Sequence, residues 1–201
     1  GIGPVRAAKI RESWTEHQGI HELMVKLQGA AGLTPRQAQR IYREFGQDAW
    51  RVVSNNPYLL ASQVRGFGFK TCDRIGRSLG VTETAPQRLQ AGLIHILQQA
   101  LDDGHLWTAD DDLLSRAAEL LGAPAEQLRP QIETLIARQQ ATAEPVEVSE
   151  EPVRAIYLAQ VAHTEARIAR RLAEHLSAPP VETLQMPEQE VSSLLCQVAQ
   201  V

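Results

Sequence analysis

Aromatic side chains are scarce, at 4% of the 201 residues. A continuous aromatic platform for stacking the bases of a single strand is therefore not expected. Only two cysteines occur, Cys72 and Cys196, far apart and without metal-type spacing. A reduced, cytoplasmic protein without a structural zinc is the simplest reading. No hydrophobic run approaches the length of a membrane span, and no signal peptide is visible. The chain also lacks the Gly-x-x-x-x-Gly-Lys-[Ser/Thr] loop, so it does not by itself hold a nucleoside triphosphate in that way. Six histidines are present, but they form no metal-ligand cluster. His17 and His21 share a helical spacing without a third ligand and read as surface residues.

Net charge is −4, which averages two unlike halves. Residues 1–81 hold twelve Lys and Arg against six Asp and Glu; the remainder holds eight against eighteen. Such asymmetry predicts that the first half faces a polyanion and the second does not. Two solvated surfaces of opposite sign are the plainer alternative.

Three stretches of the basic half are in register. Gly66-Phe67-Gly68 is followed by Cys72 and Ile75, Gly1-Ile2-Gly3 by Ala7 and Ile10, and Gly32-Leu33-Thr34 by Ala38 and Ile41. In each, a tight turn rich in glycine precedes a small and then an aliphatic residue at helical spacing. Starts at 1, 32 and 66 imply stacked helical units. This is the pattern of a helix-hairpin-helix, in which a helix entered through glycines offers free N–H groups and its positive dipole end to a phosphate. Lys70 and Arg74, four apart, would flank that anion. Thr34 replaces the second glycine of the middle copy and suits an N-cap with Pro35 at the first turn, so its phosphate grip reads as degraded. The candidate DNA-contacting residues are Gly1, Ile2, Gly3, Arg6 and Lys9 in the first copy. In the third they are Gly66, Phe67, Gly68, Lys70, Thr71 and Arg74. The chain opens on a glycine turn, so the first helix of that hairpin is expected upstream.

Helices are expected from Ile10 through Trp14, over His21–Leu27, over Pro35–Phe45, over Asp48–Ser54 and from Gly68 to Leu79. A break is expected at residues 29–32, and Trp14 and Met24 are expected in the core. Residues 83–178 read as a second domain. It holds a helix Pro86–Leu101, a short extended Leu106-Trp107, helices Leu113–Leu121 and Ala125–Arg138, and a hairpin of Ala143–Ser149 with Val153–Leu158. That order is the order of a winged helix. The mixed charge of its third helix and its acidic wing point to packing or partner contacts rather than groove reading. Asp110-Asp111-Asp112 is expected to cap a helix rather than bind metal. A helix His163–Leu176 and a linker 177–180 follow. The fold class is thus mainly α, with tandem hairpins over 1–81, a winged-helix-like α+β domain over 83–178, and a linker and further segment over 179–201.

The stretch Ser54-Asn55-Asn56-Pro57-Tyr58-Leu59-Leu60, then Gly66–Ile75, then Leu79-Gly80-Val81 resembles the N-terminal region of RecD-like DNA helicases. These are superfamily 1B motors that translocate 5′ to 3′. Phe67 stands where the family has an aliphatic residue and Cys72 where it has alanine. The resemblance continues through Arg88–Leu93, Gly104-His105 and Glu165–Leu176. It implies a non-catalytic, sequence-nonspecific DNA-binding region of a helicase acting in DNA recombination and repair, its partner the backbone of single-stranded or junction-like DNA. It further implies that ATP and Mg2+ serve the longer protein's motor domains, onto which this monomeric region would dock, with no cofactor in the region itself. Residues 185–189 loosely resemble the start of the motor, where a glutamine contacts adenine, which makes Gln189 a weak candidate for that contact; an ordinary helix start is the preferred reading. Two other readings stand beside this one: a scaffold docking to the motor or a repair partner, and a helix-hairpin-helix DNA-repair enzyme.

Overall fold

The computed structural model describes residues 3–148 and 151–177. Residues 1–162 form one compact unit, and 163–201 are assigned to a second. No described helix is long and apolar enough to cross a membrane.

The first unit opens with α1 (Pro4–Ala31), closed by Gly32 in the left-handed conformation. The expected separation of a helix through Trp14 from another at His21 does not occur; one helix runs through both. Nothing between them forces a break, since Gly19 costs only about 1 kcal/mol in a helix interior. The Tyr42 ring of the next helix lies where a side chain at position 19 would stand, and its hydroxyl donates to the Thr15 carbonyl at 3.3 Å. Only the C-terminal half of α1 reaches the core, through Leu23 and Leu27. Trp14 is not the expected core residue: it is 67% exposed, in line with Val5 and Ile10 before it.

Helix α2 (Pro35–Phe45) starts in a capping box, with Thr34 and Gln37 serving each other's backbone N–H. A single 3-10 turn (Gly46–Asp48) leads into α3 (Ala49–Asn55), which stops before Pro57. The short α4 (Leu59–Gln63) and α5 (Phe69–Ser78) are the two arms of the third hairpin. Leu23, Leu27, Ile41, Val53, Leu60, Cys72 and Ile75 are buried together between these helices. Burial pushes the Cys72 thiol up to about 12, so it packs as an inert apolar group.

The chain then forms α6 (Pro86–Asp102), β1 (Trp107–Ala109), α7 (Asp110–Leu121), α8 (Ala125–Ala137), β2 (Ala141–Glu147) and β3 (Pro152–Leu158). This is the winged-helix-like order of elements. The expected two-stranded hairpin is a three-stranded antiparallel sheet, β1-β3-β2, because Trp107 pairs with Tyr157 and Thr108 with Ile156. Leu89, Leu93, Ile96 and Leu97 of α6 are buried in the same core as Leu113, Leu128, Ile132 and Ile156.

Asp110, Asp111 and Asp112 occupy the first turn of α7 rather than capping it, where their charge still suits the helix dipole. Asp110 accepts from Arg129 of α8 at 2.8 Å and faces Arg154 of β3 at 3.6 Å. Arg154 also reaches Glu133 at 2.7 Å. The mixed charges of α8 and β3 are thus largely paired within the fold. Helix α9 (Ala159–Ser177) carries Arg167, Arg170 and Arg171 exposed.

Candidate nucleic-acid interface

The turn between α4 and α5 is built on one glycine conformation. Gly66 has φ +88°, which side chains oppose, whereas Gly68 is extended at φ −98° and ψ 168°. Two buried phenylalanines, Phe67 and Phe69, pin the turn to the core on either side of Gly68. This corrects the expectation for Phe67 as a phosphate contact: its ring is packed inside and its N–H donates to the Val64 carbonyl at 3.2 Å, so neither is free for an anion.

Gly68 itself is open. A Cβ there would meet nothing within 4 Å. Its carbonyl takes the N–H groups of Thr71 and Cys72, at 3.0 and 3.1 Å, closing the first turn of α5. The N–H groups of Gly68, Phe69 and Lys70 have no acceptor among the described residues. These are the orphan donors of a helix start, at the positive end of its dipole. Lys70 and Arg74 are exposed one turn apart on α5, and Thr71 is half-buried between them in sequence. Together with Phe69, Asp73, Arg77 and Leu120, Lys70 and Arg74 line an open hollow of about 570 Å³.

Arg40 of α2 adds a cation that spacing alone did not single out. Its Nη1 donates to the Arg65 carbonyl at 3.2 Å and lies 2.5 Å from where a Cβ on Gly66 would stand. Gly66 is favoured for its backbone angle, and a side chain there would also push the flexible Arg40 guanidinium aside. The middle repeat thus touches the third turn through its helix.

Behind the turn, Asp73 is consumed by the fold. It accepts from the Tyr58 hydroxyl at 2.8 Å, Arg88 Nε at 2.8 Å and Arg77 Nε at 3.1 Å. Burial pushes its carboxyl up. The hydrogen bonds from Arg88 and Tyr58 and the charges of Arg88 and Arg77 outweigh burial and hold it below its ordinary value. The Tyr58 hydroxyl is held well above its ordinary range, by burial first and then by Asp73. Arg88, 1% exposed, uses Nη1 on the carbonyls of Glu83 and Leu121, at 2.9 and 3.1 Å.

The other turn is less complete. Gly3 caps α1 with Pro4 at the first helical position, and Arg6 and Lys9 are exposed on its first turns. No hydrogen bond or ion pair joins them to the third hairpin. Gly1, Ile2, Gln189, Cys196 and the expected linker beyond Ser177 lie outside the described residues.

A family model described as the ATP-dependent RecD2 DNA helicase HHH domain matches residues 16–107. Those residues are thus similar to a RecD2-type helix-hairpin-helix domain. The chain is also 28% identical over 188 residues, 90% of its length, to the ATP-dependent RecD2 DNA helicase of Deinococcus radiodurans, and spans 26% of that protein. Both findings support the resemblance to the N-terminal region of RecD-like helicases. The RecD2-type match contains Gly66–Arg74, Arg40, Asp73 and Arg88; Gly3, Arg6 and Lys9 precede it.

Proposed function

We propose that this chain is a non-catalytic, sequence-nonspecific DNA-binding region of a 5′–3′ RecD-like helicase in DNA recombination or repair, and that the α4–α5 turn grips a backbone phosphate. One observation carries the reading: three unsatisfied N–H groups at Gly68, Phe69 and Lys70 meet two exposed cations, Lys70 and Arg74, at a glycine with open space before it. Contacts of that type fix a strand without reading sequence. Arg6 and Lys9 beside Gly3 would supply a second, weaker contact. ATP and Mg2+ would act in motor domains outside this chain, which the region would adjoin as a monomeric module.

The test is fluorescence anisotropy of labelled single-stranded and duplex DNA across a salt series, for the parent and the Lys70→Ala/Arg74→Ala double variant. Binding that weakens with salt is expected, with a slope reduced in the variant by about one unit per lost phosphate contact. Absence of binding at low salt, or a variant identical to the parent, would remove the turn as a DNA site.

A scaffold role is favoured for one part only. The ion pairs of Asp110, Glu133, Arg129 and Arg154 leave α8 without free basic residues facing a groove, which suits packing or protein contact. The repair-enzyme reading gains nothing from Asp73, whose carboxylate already serves Tyr58, Arg77 and Arg88.

A further inference from the structure

A second concavity begins where the phosphate turn ends. The α4–α5 turn, α6 and the turn from α8 into β2 border about 300 Å³, at the lower edge of small-molecule sites. Three rings along its wall are stacked in series. Tyr58 and Phe69 have centroids 6.1 Å apart at 23°, and Phe69 and His95 are 5.4 Å apart at 18°. Tyr58 and Phe69 are buried, while His95 is half-buried and forms the accessible end of the stack. Burial first, then the charge of Lys70, hold its imidazole below the ordinary value against the pull of Asp102, so the ring is neutral at neutral pH.

The rest of the wall is rich in uncharged amides. Gln90, 9% exposed, is fixed: its Oε1 accepts from Arg138 at 3.1 Å and its Nε2 donates to Gln131 at 2.8 Å. The side chains of Gln87, Gln98 and Gln140 also line the groove and have no partner among the described residues. Each presents a donor and an acceptor. Arg138, the one cation on the wall, is already directed to Gln90. A planar, neutral ligand with a π face and hydrogen-bonding edges matches these walls better than a second phosphate. Gly68 and Phe69 are shared between the groove and the phosphate turn.

We propose that this groove receives one unpaired nucleobase, laid on the His95 ring and edged by the glutamine amides, from the strand whose phosphate the Gly68–Lys70 turn holds. The inference rests on the phosphate grip proposed above and adds a preference for a strand with an exposed base. Stacking on a side chain tolerates every base, so the groove selects unpaired strand over duplex without selecting sequence.

The experiment compares a labelled thymidine oligomer of about ten nucleotides with an abasic phosphodiester chain of equal length, both at low salt. The parent is expected to favour the base-bearing oligomer by about fivefold or more, the worth of one stacked base. His95→Ala should bring the two within about twofold while leaving the abasic affinity unchanged. Ala91→Met, which fills the groove from α6, should do the same and decides the matter if His95→Ala melts early. Equal affinity of the parent for both oligomers, or a preference that survives both substitutions, would overturn the base site and leave the phosphate grip standing. Binding of neither oligomer would overturn the phosphate grip itself.

Discussion

Arg88 and Asp73 meet as a two-point pair, Nε to Oδ1 at 2.8 Å and Nη2 to Oδ2 at 3.4 Å, joining α6 to the helix of the third hairpin. Arg88 is buried and Asp73 is 14% exposed on its side chain. Removing one partner strands the other charge in the interior. Asp73→Asn is expected to lower unfolding free energy in urea by about 3–5 kcal/mol. Arg77→Ala, which removes a cation 54% exposed, should cost no more than about 1 kcal/mol.

The same carboxylate sets an acid limb. Because Asp73 is held below its ordinary value in the folded chain, its contribution is whole above about pH 4, the unfolded value, and is lost as pH falls through the folded one. Urea midpoints for the parent should fall through that acid range, and Asp73→Asn should flatten the fall. An unchanged acid limb would show that other carboxylates govern it.

The two glycines of the turn should part company on substitution. Gly66→Ala places a side chain at φ +88° against Arg40 and is expected to lower the melting temperature, at a cost of about 1–2 kcal/mol or more. Gly68→Ala meets open space at an ordinary backbone angle, so melting should hold while DNA affinity drops, the methyl standing where the phosphate approaches. Loss of affinity only in step with loss of melting temperature would count against the grip.

Arg40→Ala tests whether the middle repeat serves the third turn. Its hydrogen bond to the Arg65 carbonyl is exposed, so stability should change by no more than about 1 kcal/mol. The salt slope of DNA binding should fall by about one unit if the guanidinium reaches a phosphate. An unchanged slope would confine Arg40 to supporting Gly66.

Local signals carried much of this fold. Proline, glycine and aliphatic spacing marked the starts of α2, α5 and α6, and the mainly α class with a small winged-helix-like sheet followed from the order of elements. Signals that depend on distant partners were silent. Arg88 looks like an ordinary helix charge until Asp73, Glu83 and Leu121 are brought around it. Trp14 looks like core until its half of α1 is found without a cover. Phe67 sits at a motif position whose side chain the turn directs inward. Arg40 was visible only as one of twelve basic residues, because its role depends on Gly66, in another repeat. The rings of Tyr58, Phe69 and His95 are too far apart in sequence for composition to reveal their stack.

The strand β1 bears on how this region can be cut. The RecD2-type match ends at Trp107, the first residue of β1, yet the strand's ladder partner is β3, whose Tyr157 lies opposite Trp107. A polypeptide shortened to the matched segment would carry Trp107 without its neighbour, and Leu89, Leu93 and Ile96 of α6 without the apolar cover of Leu113, Leu128 and Ile132. The smallest piece that keeps α6 dry therefore extends at least through Leu158, about half as long again as the recognised segment.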